Sequence, residues 1–439
     1  MNKVVNNMMN ATDNFVSFIL QLKQTSFPEA VIRKSKECFL DYLGCAYAGA
    51  KMNRQKLLQR EYTAGKCEIF GSDIKTDALT AAFFNAFNTH TTELDDGNRF
   101  GMLHLGASII SALYAIQQEK NLQFKNIVTA NIIGYEVGVR LSLAMQPAHK
   151  EKGFHTSGTA GTIACAVAVA VALDCDQKQL KAAISAAATS AAGLLEIQND
   201  SSELKPYNVG HAALSGLMAA YTGMMGFDAP KDILNGQRGF LKLLSENQNI
   251  DELYKEKDFY EIERIYVKPY AACRHCHSAI EATILLRNKY KIPIEAIEKI
   301  TVYTYALAIK GHNHTKIEGV SSAKLSIPFG VALAYICGKA GLNEYNLDII
   351  RNPVVLSLTK KVVVEEDDAF THNTLSKRNS CVEIITKDNQ RYTQKIDFAK
   401  GDPENPMNFD ELVEKFHALM KWSGNEKASN MIIEKIFNS

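Results

Sequence analysis

The sequence predicts a mainly α protein, a large all-helical domain with an inserted, smaller α+β domain. Three observations carry that expectation. Apolar residues recur at helical spacing through about the first 265 positions. Near Ile262 the pattern turns to short alternating runs, and after Gly401-Asp402-Pro403 it returns to helix. The 439 residues exceed what one ordinary core organises, so two domains are expected. Their boundaries read as 1–266 plus 403–439 for the helical part and 267–402 for the insert.

Taken in order, Ser26 is placed to cap a helix with Pro28 in its first turn, running through Val31, Cys38, Phe39 and Leu43. Further helices are expected over 77–90, 106–118 and 125–145. The stretch 157–195 is rich in alanine and broken at 174–176, and small residues on every side suit a helix packed inside a multi-helix body. A helix over 209–225 should stop at Gly226, with Pro230 beyond it. From the change of pattern onward, 263–268 (ERIYVK) and 299–307 (KITVYTYAL) alternate as strands, with a helix over 277–291 between them and another over 323–338 after. Strands at 361–365, 381–386 and 390–395 follow, the last two joined by a turn at Asp388-Asn389. Helices over 409–419 and 426–437 close the chain.

Composition narrows the function classes. Hydrophobic residues are 46% and charged residues 22%, which fits a globular chain and not a disordered one. Lys plus Arg total 49 against 48 Asp plus Glu, so no basic excess is available for nucleic acid or a membrane surface. The most apolar stretch, 162–173, is about half the roughly 20 residues a membrane span requires. The first 15 residues hold no apolar core of signal-peptide length, and nine scattered cysteines read as reduced thiols. A cytoplasmic protein with neither a nucleic-acid nor a membrane partner is expected.

Four segments could carry chemistry. The first holds His90, Glu93, Asp95, Asp96 and, past Gly97, His104; carboxylates and imidazole in one loop can supply general acid and base. The plainer reading is a capped helix end. The second, Gly153 to Thr162, puts His155 in a Gly- and hydroxyl-rich turn at a helix start, suited to an anion. It lacks the Gly-Lys-Ser/Thr ending of a phosphate loop, and its glycines equally suit close helix packing. In the third, Lys205-Pro206-Tyr207, the lysine can reach an anion or be a solvated loop residue. The fourth, Lys268 through Cys273-Arg274-His275-Cys276-His277, invites a zinc reading. No second ligand pair follows at finger-like spacing, so no metal is expected. Lys, Arg and His there better suit capture of a carboxylate, with Arg capable of a bidentate grip. Gly311-His312-Asn313-His314 reads as a polar turn.

In this order and spacing the four segments resemble the MmgE/PrpD family, as do Phe39-Leu40-Asp41-Tyr42-Leu43-Gly44 and the Lys205-Pro206 element ending in Gly210-His211-Ala212-Ala213. The resemblance runs through most of the chain. It implies an all-helical domain with an α+β lid domain, an active site at their interface, a homodimer, and no metal or organic cofactor. Residue by residue it implies a site of Asp95, Asp96, His104, His155, Lys205 and Lys268. The expected function is a cofactor-independent lyase, a dehydratase or decarboxylase, that abstracts a proton next to a carboxylate of a small di- or tricarboxylate. His104, His155, Asp95 and Glu93 would be catalytic; Lys205, Lys268, Asp96, Arg274, His275, His277 and Tyr207 would bind substrate. An epimerase or isomerase of a small dicarboxylate is the alternative within enzymes. A catalytically silent metabolite-binding homologue is the alternative outside them, which three departures would favour: Glu93 where Asp is usual, Gly97 where Thr is common, and Phe329 where Tyr is frequent.

Overall fold

Alanine, valine and glycine set how closely the central helices approach. The computed structural model describes residues 10–199, 202–374 and 376–438. Every residue of the helix Thr156–Ala172 is buried, and the helices Phe124–Leu143, Gln177–Ser190 and Lys205–Met224 surround it. The helices Ala78–Thr91 and Gly106–Lys120 form the next layer, and Glu29–Met52 packs across Ala78–Thr91. That last contact requires glycine: a Cβ at Gly49 would lie 1.8 Å from the Asn88 carbonyl oxygen. The C-terminal helices Phe409–Ser423 and Ser429–Phe437 return to pack on Glu29–Met52. One apolar cluster runs through all of these, from Phe15 to Val267 and from Leu412 to Ile436. The protein is mainly α, as the periodicity predicts.

A second apolar cluster takes in Ala271 through Ala399 and borrows Cys45, Ala48, Leu94 and Leu419 from the helical part. Its sheet has four strands in the order Val362–Glu366, Ile297–Thr304, Ser380–Thr386, Arg391–Ile396. The first pair is parallel and the others antiparallel, with Val302 opposite both Val364 and Val382. Ser380–Thr386 alternates buried and half-buried residues, the signature of a sheet covered on one face. The helix His277–Tyr290 supplies that cover and packs in turn on Ile327–Cys337. Among the described residues, no helix is long and apolar enough to cross a membrane.

Several elements differ from the sequence expectation for local reasons. Residues 263–268 are not a strand: Glu261–Arg264 is a 3-10 turn, and Tyr266 forms a single antiparallel bridge with Gly97. Alternation there has no neighbouring strand to pair with. The helix expected from 209 begins at Lys205, because Pro206 is preorganised for a first turn. The helix over 323–338 is two, Val320–Lys324 and Ile327–Cys337. Between them the Ser326 hydroxyl accepts the Phe329 N–H at 3.1 Å, with Pro328 in the first turn. Pro28, not Ser26, occupies the cap position of Glu29–Met52, without a side-chain bond. A further helix, Ala11–Lys23, precedes those read from the sequence and is capped by Asn10.

Gly49→Ala is expected to destabilise the protein by roughly 1–3 kcal/mol through overpacking against the Asn88 backbone. A melting temperature within error of the parent would show that the two helices separate freely.

Candidate active site

The site is built on one turn. The helix Ala78–Thr91 ends beside Thr92, and the chain reverses through Glu93 at φ +56°, a left-handed conformation seldom adopted by a side chain of this kind. Three lysines from distant segments hold the carbonyls of that reversal. Lys324 Nζ donates to the Thr92 oxygen at 2.9 Å, Lys268 Nζ to that of Glu93 at 3.2 Å, and Lys415 Nζ to that of Leu94 at 2.8 Å. Cations at a helix C-terminus satisfy its orphan carbonyls and oppose its dipole. Glu93 in turn accepts from Lys205, the first residue of the helix Lys205–Met224, and lies 3.3 Å from Lys268 Nζ.

Behind the turn lies an imidazole–carboxylate cluster. His90 Nδ1 is 2.7 Å from Asp95 Oδ2, and His104 Nδ1 is 3.7 Å from the same oxygen. Asp95 Oδ1 is 3.8 Å from Lys268 Nζ. The His90 and His104 rings are 5.1 Å apart, and the His90 and His155 rings 6.0 Å. His104 precedes the helix Gly106–Lys120, and His155 is the residue before Thr156–Ala172.

Burial and neighbouring charge fix the protonation states. Burial would raise Glu93 and Asp95, but Lys205 and Lys268 hold Glu93 well below the usual carboxylate range, and His90, His104 and Lys268 do the same for Asp95. Burial would lower Lys268, yet the Glu93 and Asp95 carboxylates raise it, so this fully buried lysine stays charged. Burial and the Lys268 cation pull His104 down to about 3, against the opposing pull of Asp95. Burial, with His90 and Lys205, pulls His155 well below its ordinary value. Both histidines are therefore neutral near pH 7.

Their tautomers are opposite. His104 Nδ1 is 2.6 Å from the Asp96 carbonyl oxygen, which can only accept, so Nδ1 carries the hydrogen and Nε2 a free lone pair. His155 Nδ1 accepts from Asn208 Nδ2 at 3.0 Å, and that amide nitrogen is identified by its second bond, to the Leu194 carbonyl at 3.2 Å. His155 therefore carries its hydrogen on Nε2. One ring offers an acceptor and the other a donor.

Both rings line a cavity of about 660 Å³, together with Glu93, Lys205, Lys268 and Tyr266. Cys273, Arg274, His275, His312 and Arg378 line it from the α+β part, and Lys150 and Phe154 from the helical part. Of the residues singled out from sequence, Glu93, His104, His155, Lys205, Lys268, Arg274 and His275 thus share one wall. Asp95 stands behind His104 and His90. Asp96 is turned away, accepting from Tyr135 and from the Gly106 N–H at 3.2 Å, and burial with Asp41 and Asp95 pushes it up to about 7. His277 is also off the wall, fully buried between Arg274 Nη1 and the Ala272 carbonyl. Tyr207 is 46% exposed and packs edge-on against Phe83, away from the cavity, because it occupies the outer side of its helix's first turn. Arg274 faces the cavity but is paired with Asp402 at 2.7 Å.

Sequence reading missed several members. His312 is no mere polar turn: its Nε2 is 3.3 Å from Cys273 Sγ, and against the upward push of burial it draws that thiol down to about 6. Cys276, the other half of the Cys-X-X-Cys, is in the apolar core. Lys150, Tyr266 and Arg378 carry no motif and come to the wall only through the fold. The departures also find their place. A Cβ at Gly97 would lie 2.4 Å from the Tyr266 hydroxyl oxygen and 3.0 Å from His104 Nδ1, so Tyr266 occupies the space a threonine side chain would need. Phe329 is fully buried in the second apolar cluster and does not reach the cavity.

His90, Asp95 and His104 offer ligand atoms within 4.8 Å of one another, a spacing a metal ion could use. The fit is poor: Asp95 is engaged by His90, a lysine ammonium stands 3.8 Å from its other oxygen, and His104 Nδ1 bonds a carbonyl. A second cation would be repelled by the first.

Comparison with known proteins shows the family. The model of the MmgE/PrpD N-terminal domain matches residues 13–253 and that of the MmgE/PrpD C-terminal domain residues 270–438. A cis-aconitate decarboxylase of Aspergillus terreus (strain NIH 2624 / FGSC A1156) is 25% identical over 427 residues, spanning 91% of this chain and 86% of that protein. The cis-aconitate decarboxylases of Mus musculus and Homo sapiens are each 23% identical, spanning 94% of this chain and 87% and 89% of their own lengths.

Gly97→Thr is expected to cost roughly 1–3 kcal/mol by displacing Tyr266. The same change should cost less in a Tyr266→Ala background, because the clash is then gone. Equal costs in both backgrounds, read by denaturant unfolding, would show that the two residues do not compete for space. Dialysis against a chelator should leave the melting temperature unchanged; a fall restored by one added metal would place an ion among His90, Asp95 and His104.

Proposed function

The chain belongs to the MmgE/PrpD family, and on that premise we propose that it is a lyase of a small tricarboxylate, with decarboxylation of cis-aconitate the reaction to test first. The observation that supports this most directly is the pair of neutral histidines with opposite tautomers on one cationic cavity wall. His104 is the proton carrier. Its Nε2 lone pair accepts from no donor among the described residues, and Asp95 stands 3.7 Å from its Nδ1 to stabilise the imidazolium form. His155 keeps its proton and donates an Nε2–H hydrogen bond where negative charge develops on a substrate carboxylate.

A bound polycarboxylate brings anions beside His104 and offsets the Lys268 charge that depresses it, so substrate itself raises the imidazole toward protonation. In the decarboxylation, the bond to the departing carboxylate breaks and its electron pair forms a new double bond. The electrons of the former double bond take the proton from His104 Nε2, and carbon dioxide leaves. His104 then regains a proton from solvent. The net change consumes one proton for each carbon dioxide released.

The reaction is followed by proton NMR of the protein with cis-aconitate in D2O. A product with a terminal methylene and one deuterium on the newly saturated carbon is expected. Unchanged cis-aconitate would sink the decarboxylase reading. His104→Ala should lower turnover by about 10²–10⁴-fold with little change in melting temperature. In the free protein, neither the His104 nor the His155 ring protons should titrate between pH 5 and 8, since both values are depressed and the neutral forms persist throughout. A titration midpoint near the ordinary histidine value at either residue would overturn the assigned protonation states.

A further inference from the structure

The lysines expected to bind substrate are already neutralised within the protein. Lys205 is paired with Glu93, Lys268 with Glu93 and Asp95, and Arg274 with Asp402. Two other cations of the same wall are not. Lys150, on the short helix Ala148–Glu151, makes no ion pair among the described residues, and its side-chain nitrogen has no hydrogen-bond partner there. Arg378, just ahead of the strand Ser380–Thr386, is 7% exposed. It donates from Nη2 to the Arg99 carbonyl at 3.1 Å, while its buried Nε has no partner among the described residues. No carboxylate among the described residues lies within ion-pair distance of it.

A buried guanidinium without a counter-ion is costly unless something else supplies the charge. The other groups that line the cavity beside it do not supply a matching charge. His275 bonds the Tyr305 hydroxyl at 2.7 Å and stays neutral, pulled down by burial and by Arg378 itself. Cys273, 3.3 Å from His312 Nε2 and drawn down to about 6, supplies at most one negative charge against the two cations. Glu151 and Glu196 line the wall but pair with neither cation, and Lys310 at the wall is exposed to solvent. The two unpaired cations feel one another: burial first, and then the Arg378 charge, lowers Lys150 to about 8.

We propose that Lys150 and Arg378 form an anion subsite for a carboxylate remote from the reacting carbon, and that this subsite makes the cavity prefer a tricarboxylate over a dicarboxylate. The assignment rests on the reading of the cavity as a polycarboxylate site. Lys150 comes from the helical part and Arg378 from the α+β part, so one carboxylate held by both ties the two together. The planar guanidinium fork, with its Nε hydrogen unfilled, matches a carboxylate edge.

The test is calorimetric titration of the intact protein with propane-1,2,3-tricarboxylate and with glutarate. The parent is expected to bind the tricarboxylate at least about tenfold more tightly. Arg378→Gln and, separately, Lys150→Met should each weaken tricarboxylate binding by about 10- to 100-fold, the range of one charged hydrogen bond. Glutarate affinity should change by less than about threefold. Arg378→Lys should keep part of the preference. Lys150→Met removes no side-chain bond among the described residues, so it reads the subsite even if Arg378→Gln disturbs the Arg99 loop. A parent that binds neither ligand overturns the polycarboxylate reading itself, whereas one that binds both alike overturns the subsite alone. A parent preference that survives in both variants, or an equal loss of both ligands, overturns the subsite alone.

Discussion

Three lysine ammonium groups tied to the carbonyls of one turn are the constraint on which the site depends. Lys268 and Lys324 come from the α+β region and Lys415 from the C-terminal helix Phe409–Ser423. Together they hold Thr92, Glu93 and Leu94 in a reversal that includes a left-handed Glu93. Such a backbone persists only where its surroundings over-determine it. The turn therefore cannot form from its own segment, and the residues that follow, Asp95 and His104, take their places only when the distant parts of the chain have assembled. Glu93 adds the reverse obligation, because its carboxylate is the counter-charge of two of the cations that line the cavity. Removing it would leave Lys205 and the buried Lys268 uncompensated, the expensive way to break a buried ion pair.

The same economy of charge divides the cavity wall. On one side, carboxylates of the protein neutralise the cations, so these lysines shape the potential around His104 and His155 more than they add net attraction. On the other side, Lys150 and Arg378 have no such partners. On the proposed reading, a polyanion finds unpaired cations at Lys150 and Arg378 and, in the same cavity, an acceptor nitrogen on His104 and a donor on His155. Backbone and amide partners, not the ionic cluster, set those tautomers: the Asp96 carbonyl for one and Asn208 for the other. Orientation of the proton is therefore written into the ends of three helices, Gly106–Lys120, Thr156–Ala172 and Lys205–Met224.

Departures from the family pattern find physical accounts. Gly97 leaves room for Tyr266, whose bridge to the Gly97 backbone also ties the loop to the segment leading into Lys268. Phe329 lies deep in the second apolar cluster, where a hydroxyl would need a partner of its own. Neither change removes a titratable group from the cavity, which weakens the case for a silent homologue.

Sequence by itself determined the mainly α character, the change of pattern near Ile262, and the strands 299–307, 381–386 and 390–395 to within a few residues, because periodicity records which face of an element is buried. It also singled out side chains of the first three segments that the fold brings to one cavity, since His104, His155 and Lys205 sit at helix starts that turn and capping residues mark. Tertiary structure alone decided the rest. The alternation at 263–268 looks like a strand, but strand formation needs a partner and only Gly97 offers one rung. Arg274 and His277 have the right chemistry in the right segment, yet Asp402 and the Ala272 carbonyl consume them. Tyr207 adjoins Lys205 in sequence, and the helical turn points it elsewhere. Lys150, His312 and Arg378 are ordinary charged or polar residues among many in the chain, and only their shared place at the cavity, Lys150 and Arg378 without a carboxylate partner and His312 against a thiol, distinguishes them. Pairing is a property of three-dimensional neighbours, and a one-dimensional pattern records only spacing along the chain.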